Sequence, residues 1–221
     1  MSPEISTRAL LHALAEGRAG HSLTLSPEGV EPIWVLRGGE RALLLDGGAI
    51  PESATVGGFG YFDRFSLAAW IRPDGSGGTV LSRMVPVEQG EGYSVHLQDG
   101  RVQVNLVKRW LDDAIRLESE SVLPAGRWVH LAVVYDGTRL ASGVRLYLNG
   151  TEVPLTVRLD RLNQTFAVKS EPFRIGGGHS GVLVSIAQYF SPINRHVECL
   201  AHTHIIKRFF AYVVGHVTDV Q

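Results

Sequence analysis

Two alternating stretches make up residues 127–150, RWVHLAVVYDGTRLASGVRLYLNG, and they decide the fold class. One face of these stretches collects apolar and aromatic side chains: Val129, Leu131, Val133 and Tyr135, then Val144, Leu146 and Leu148. A period of two, with β-branched and aromatic residues, predicts half-buried antiparallel strands. Asp136-Gly137 and Asn149-Gly150 supply the turn conformations that end such strands. The segment therefore predicts two strands of an all-β protein.

The same alternation continues on both sides of this segment. Strand-like runs occur at 41–45, 65–72, 79–84, 92–98, 101–107, 114–121, 127–135, 144–149, 152–158 and 172–175. The connection Gln98-Asp99-Gly100-Arg101 predicts a tight hairpin, because Asp-Gly favours a type I′ turn. Many short strands at near-even spacing, with no helix between them, predict an antiparallel β-sandwich or a barrel.

Both ends of the chain depart from this pattern. Residues 5–16 predict a short amphipathic helix that Gly17 ends, within an irregular lead-in that we place at residues 1–40. After Gly178 the composition changes: residues 181–221 hold four of the nine histidines, the only cysteine and two acidic residues. We therefore treat residues 179–221 as an anomalous tail and residues 41–178 as the sandwich domain.

The composition limits the classes of function. The chain has 221 residues, a hydrophobic content of 44 % and a charged content of 19 %, which suits one sizeable globular domain. Its formal net charge of −1 gives no electrostatic support for binding nucleic acid. No apolar run approaches the ~20 residues of a membrane span, and the first residues do not read as a signal peptide. We predict neither a nucleic-acid partner nor membrane insertion.

Several segments together resemble the laminin-G-like, concanavalin A-like jelly-roll family. They are ALLLDGG (42–48), FSLAAWIRPD (65–74), GTVLSR (78–83), GYSVHLQDGRVQVNL (92–106), LPAGRWVHLAVVYDG (123–137), VRLYLNG (144–150) and FRIGGG (173–178). The resemblance implies a jelly-roll sandwich that binds a glycan or a neighbouring protein domain without catalysing a reaction.

The segment LVKRWLDDAIRLES (106–119) and the phrase RLASGVRLYLNG (139–150) resemble the version of this domain embedded in planctomycete-type exported proteins that contain a cytochrome-c-like domain. That similarity implies a fragment of a larger protein in the periplasm or at the cell surface. This chain has no Cys-x-x-Cys-His motif, so it cannot attach haem covalently. We predict no cofactor.

The resemblance breaks after Gly178, where the family continues into a strand reading roughly Phe-x-Gly-x-Ile-Asp-x-Val-x-Ile-Tyr. Here GVLVSIAQYF follows instead. We hypothesise that the reading frame shifts near residue 180, which would leave the sandwich without a core strand and its edge open. Apolar tail residues such as Val182, Leu183, Val184 and Ile186 offer a substitute strand. A further hypothesis is that the chain is a truncated product without independent function.

The rim loop at 107–114 carries the candidate ligand-binding residues: Arg109, Trp110, Asp112 and Asp113. A tryptophan face stacks on the apolar face of a sugar, and carboxylates accept hydrogen bonds from its hydroxyls. The alternative is a tryptophan that packs over the sandwich edge beside solvated acids.

Catalysis is a separate alternative, because the same jelly roll hosts glucanases, which need two carboxylates a few ångströms apart. Glu118 and Glu120 share a strand face and are the nearest candidates, although no third acid follows them in the strand. A solvated strand face explains the same residues.

Metal sites have little support in the spacing of the candidate ligands. Calcium, often present at the rim of laminin-G-like domains, would need oxygen ligands from Asp46, Asp112, Asp113, Asp136 and Asp160, which do not converge in sequence. In the tail, Cys199, His202 and His204 could hold zinc only with an unfamiliar spacing. Two N-glycosylation sequons begin at Asn149 and Asn163.

Overall fold

The structure is a computed structural model that describes residues 24–26, 33–37, 40–45, 50–73, 75, 77–178, 186–189 and 212–213. The predicted helix at 5–16 lies outside the described residues, as do Cys199, His202 and His204.

Antiparallel strands make up nearly all of the described secondary structure. They are β1 (Thr24–Ser26), β2 (Ile33–Arg37), β3 (Glu40–Leu45), β4 (Ile50–Ser53), β5 (Phe65–Pro73), β6 (Gly78–Met84), β7 (Gly92–Gln98), β8 (Arg101–Arg109), β9 (Asp113–Val122), β10 (Val129–Tyr135), β11 (Val144–Leu148), β12 (Thr151–Val153), β13 (Leu155–Asp160), β14 (Phe173–Ile175), β15 (Ile186–Tyr189) and β16 (Tyr212–Val213). A 3₁₀ turn, Ala141–Gly143, precedes β11.

The strands form two sheets that face each other across one core. The first sheet has the order β1-β4-β14-β6-β7-β8-β9-β13, and the second has the order β12-β11-β10-β5-β15-β3-β2, with β16 also paired to β5. All the strand pairs are antiparallel. The predicted all-β sandwich of jelly-roll type is therefore confirmed.

The tight hairpin between β7 and β8 is also confirmed. Gln98 pairs with Arg101, and the two residues between them, Asp99 and Gly100, have φ of +52° and +75°. Two positive φ angles in a two-residue loop are the mark of a type I′ turn, whose twist matches that of the flanking strands.

The core is centred on an aromatic cluster between the sheets. Phe65 stacks on Phe59 with ring centroids 4.3 Å apart, and it meets Tyr135 at 5.4 Å and Phe166 at 6.4 Å. Each such pair contributes roughly 0.5–1.5 kcal/mol beyond the burial of its area. The Tyr135 hydroxyl donates a 2.6 Å hydrogen bond to the Tyr61 carbonyl, and burial raises the pKa of Tyr135 to about 12. The buried phenol is thus satisfied and stays neutral.

The tail contributes a strand to the interior of the second sheet. Ile186–Tyr189 pairs with β3 on one side and with Trp70–Pro73 of β5 on the other. The expected open slot is therefore filled in the structure, and Ile186, one of the residues expected to fill it, belongs to this strand. Residues 182–184 lie outside the described residues, and a shifted reading frame stays a hypothesis.

His130 lies on β10 with its side chain on the face opposite the core. It pairs with Trp70 of β5, and the two rings are 5.2 Å apart at their centroids. The residue is buried, and this burial lowers the pKa of the imidazole below its usual range. The folded protein therefore holds His130 neutral at pH values where an exposed histidine takes up a proton.

We predict that His130 makes the fold less stable in acid. The unfolded chain protonates this residue near pH ~6.5, whereas the folded chain resists protonation, so the free energy of unfolding falls as the pH drops below that value. Replacing His130 by Phe keeps a ring against Trp70 and removes the titration. Urea unfolding at about pH 7.5 and about pH 5 should show a smaller loss of stability for His130→Phe than for the unmodified chain. Equal losses would contradict the assignment.

We also predict that Gly92 is required by the close approach of β6. It has φ of +130°, and a Cβ here would collide with the backbone of Arg83 and Met84. Gly150 also has a positive φ, of +81°, but no atom lies within 4 Å of the position of its Cβ. A substitution at Gly150 therefore measures the cost of the backbone conformation without a collision. In urea unfolding, Gly150→Ala should cost about 1–2 kcal/mol and Gly92→Ala at least about 3 kcal/mol. Similar costs for the two variants would show that β6 yields to the added methyl group.

Candidate functional site

Three connections at one end of the sandwich enclose a groove of about 460 Å³. They are the turn between β8 and β9, the loop between β10 and β11, and the segment that follows β13. We call this cavity the rim groove; its lining residues are Asp112, Thr138, Arg139, Leu140, Asp160, Arg161, Leu162 and Asn163. Two carboxylates and two guanidinium groups balance its charge, and a hydroxyl and an amide complete its polar lining.

The β10–β11 loop is held in one conformation by its own side chains. The backbone N–H and the hydroxyl of Thr138 donate to one oxygen of Asp136, at 2.9 and 2.6 Å. A Cβ at Gly143 would collide with both of these side chains, so the tight loop requires glycine at this position. Arg139 has φ of +62°, and its N–H donates to the buried Tyr135 hydroxyl at 3.0 Å. The loop is therefore tied to the aromatic core.

Two aspartates fix the segment after β13. Asp160 accepts a 2.8 Å hydrogen bond from the N–H of Ala141 and so joins this segment to the β10–β11 loop. Asp113 accepts bonds from the N–H groups of Asn163 and Gln164, at 2.6 and 3.3 Å. Its side chain is 1 % exposed, and a guanidinium nitrogen of Arg109 lies 3.8 Å from its second oxygen. These bonds hold the groove walls in place without a ligand.

The four residues predicted at the rim take different positions. Asp112 lines the rim groove, and Arg109 donates to it at 2.9 Å, which lowers the pKa of the Asp112 carboxyl. Asp113 is buried and does not line the groove. Trp110 does not line it: the ring is half-buried, and the guanidinium of Arg116 lies 4.2 Å from its centroid.

The remaining groove residues were not predicted as a ligand site. Asp160 appeared only as a calcium candidate, and Asn163 only as the start of a sequon. No sequence motif includes Thr138, Arg139 or Arg161. Only the backbone path of the loops brings these residues together.

Glu118, one of the two carboxylates considered for catalysis, is engaged by neighbouring side chains. One of its oxygens accepts from Arg158 at 2.7 Å, and the other accepts from Gln103 at 3.1 Å. Glu120 is exposed and lies near the end of β9 that is far from the rim groove. Among the residues that the structure describes, no group of three or more His, Cys, Asp or Glu side chains is placed to hold a metal ion. The same part of the chain contains no helix long and apolar enough to cross a membrane.

We predict that Asp113 stabilises the groove walls, whereas its neighbour Asp112 does not. Asp113→Ala removes the acceptor of two backbone N–H groups and should lower the free energy of unfolding by about 1–3 kcal/mol. Asp112→Ala removes an ion pair whose members are both more than half exposed, so solvent screens the pair and its loss should change the stability little. Urea unfolding of both variants measures the difference. Equal effects would mean that the segment at 163–164 does not depend on Asp113.

Comparison with known proteins gives one family match. A family model described as the concanavalin A-like lectin/glucanases superfamily matches residues 46–190. No match was found among curated proteins.

Among solved structures, the binding domain of Paraclostridial Mosquitocidal Protein 1 is 14 % identical, with a TM-score of 0.54, over 77 % of this chain and 43 % of that one. The receptor-binding domain of botulinum neurotoxin type G is 16 % identical, with a TM-score of 0.49, over 76 % and 41 % of the two chains. This chain therefore spans less than half of those domains. At 14 % identity, the likeness to the binding domain of the mosquitocidal protein shows the fold alone.

Proposed function

The chain belongs to the concanavalin A-like lectin/glucanase superfamily, and we propose that its jelly roll is a non-catalytic domain that binds a glycan in the rim groove. The observation that carries this proposal is the lining of the groove: fixed polar groups of both charges around a cavity of about 460 Å³. A cavity of this volume lies within the usual range for small-ligand sites.

The polar groups suit a ligand rich in hydroxyls. Asp112 and Asp160 accept hydrogen bonds from sugar hydroxyls, while Arg139, Arg161 and Asn163 donate to their oxygens. Since the two carboxylates are balanced by the two guanidinium groups, the groove does not select for a ligand of high net charge. Leu140, which is 52 % exposed, adds an apolar contact for the carbon face of a sugar ring.

The groove is also organised before any ligand arrives. Asp113, Asp136 and Asp160 all accept backbone N–H groups of the loops that line it. Binding therefore requires little ordering of the loops, which removes a cost that weakens many binding sites.

A neighbouring protein domain is the second candidate partner, and exposed apolar residues favour it. Phe62, Leu111 and Leu140 are 63 %, 83 % and 52 % exposed at this end of the sandwich. Leu111 precedes Asp112 of the groove, and Arg139 of the groove lies 5.1 Å from the Phe62 ring. Aromatic, apolar and arginine side chains together are typical of protein interfaces. In the exported proteins whose domain this chain resembles, such a partner would be an adjoining domain.

We predict that Asp112 contributes to glycan affinity. Calorimetric titration with a panel of neutral oligosaccharides should identify a ligand, and Asp112→Asn should weaken its binding by about 10- to 100-fold, the usual worth of a hydrogen bond to a charged group. Glu120→Gln is the matched control, since it removes the same charge from an exposed site towards the opposite end of β9.

The glycan proposal fails if no oligosaccharide binds, or if Asp112→Asn and Glu120→Gln have equal effects. Replacing Phe62 and Leu111 by Ser tests the second candidate. Loss of binding to an adjoining domain, with glycan binding absent throughout, would favour the protein partner.

A further inference from the structure

Arg116 lies on the face of the first sheet that points away from the core, four residues along the chain from Asp112 of the rim groove. Its neighbours along β9, Ile115 and Leu117, both belong to the core, so Arg116 must project from the opposite face. It pairs across the sheet with Asn105 of β8. Its guanidinium covers the ring of Trp110, which is two residues from Asp112 of the groove.

The charge of Arg116 has no carboxylate partner among the described residues. Glu118, two residues along the same strand face, has both oxygens engaged by Arg158 and Gln103. The Nε–H of Arg116 is buried and donates to no acceptor in the described part of the chain. A buried donor without a partner is unfavourable, and native proteins contain few of them.

A second cation strengthens the local positive field. Burial lowers the pKa of Arg116, and the nearby charge of Arg158 lowers it further. Arg158 is 54 % exposed and pairs with Glu118. Two guanidinium groups and one carboxylate therefore leave this patch with an excess positive charge.

We propose that Arg116 and Arg158, beside Trp110, bind the carboxylate or sulfate group of an acidic sugar. This inference rests on the proposed function, because the rest of the glycan would occupy the rim groove. The Trp110 ring holds the Arg116 guanidinium by a cation–π contact, so its donors are oriented before the anion arrives. A carboxylate or sulfate accepts two parallel N–H bonds from the two terminal nitrogens of such a planar group.

The test compares three hexasaccharides of equal length: a neutral one, one of uronic acids and one bearing sulfate esters. Calorimetric titration should show that at least one acidic probe binds about tenfold or more tightly than the neutral one, with an affinity that falls as salt rises. Binding of the uronate alone assigns the site to carboxylates, and binding of the sulfated probe alone assigns it to sulfates.

The decisive variant is Arg116→Gln, which should abolish the preference for acidic probes and leave neutral binding unchanged. Arg127→Gln is the matched control, because it removes the same charge from an exposed loop at the other end of the sandwich. Arg116→Lys keeps the charge without the planar group and should retain only part of the preference. The midpoint of thermal unfolding of Arg116→Gln should lie within about 3 °C of that of the unmodified chain.

Equal affinities for acidic and neutral probes, or equal effects of Arg116→Gln and Arg127→Gln, would overturn the inference. If neutral binding still depends on Asp112 in that case, the proposed function stands and only the acidic subsite is refuted. If none of the probes binds and the neutral panel also fails, both proposals fall. A large loss of thermal stability in both Arg116 variants would identify Arg116 as a structural residue and would also overturn the subsite.

Discussion

The register between β10 and β5 is the constraint on which the rest of the sandwich depends. Val129 to Tyr135 pair in order with Ile71 to Phe65, near the middle of the second sheet. Because side chains alternate between faces, a slip of β10 by one residue would move Leu131, Val133 and Tyr135 out of the core together and remove the partners of Phe65. Tyr135 also anchors the β10–β11 loop through its hydroxyl. The same register therefore fills the core and positions one wall of the rim groove.

The strands could be predicted because each carries its own signal. The alternation at 127–150 reports which side chains face the core, and Asp99-Gly100 specifies a turn by its chemistry. Such information is local and needs no knowledge of the neighbouring strands. The pairing of β15 between β3 and β5 is different, since the alternation of GVLVSIAQYF shows only that it can form a strand and does not reveal its neighbours.

The groove could be predicted only in part, for a related reason. Asp112 lies in a rim turn whose composition suggests ligand binding, but its partners come from residues 138–140 and 160–163. The N–H of Asn163 bonds to Asp113 beside the turn, and the N–H of Ala141 bonds to Asp160, which joins the two segments to each other. No spacing in the sequence encodes such bonds. The Trp110 ring likewise lies against Arg116 of the adjoining strand. A tryptophan that stacks on a sugar and one that stacks on an arginine cannot be told apart from the sequence alone.

The position of β15 has a consequence for how the protein is made. In the described sheet, β2 and β3 are joined to β5 only through Ile186–Tyr189, the hydrogen-bonded strand between them. The strand that connects β2 and β3 to the rest of the sheet leaves the ribosome about 140 residues after β3. During that interval β3 presents an unpaired edge to the cell. The second sheet therefore closes only after β15 has been synthesised, and until then this edge is open to strands of other chains.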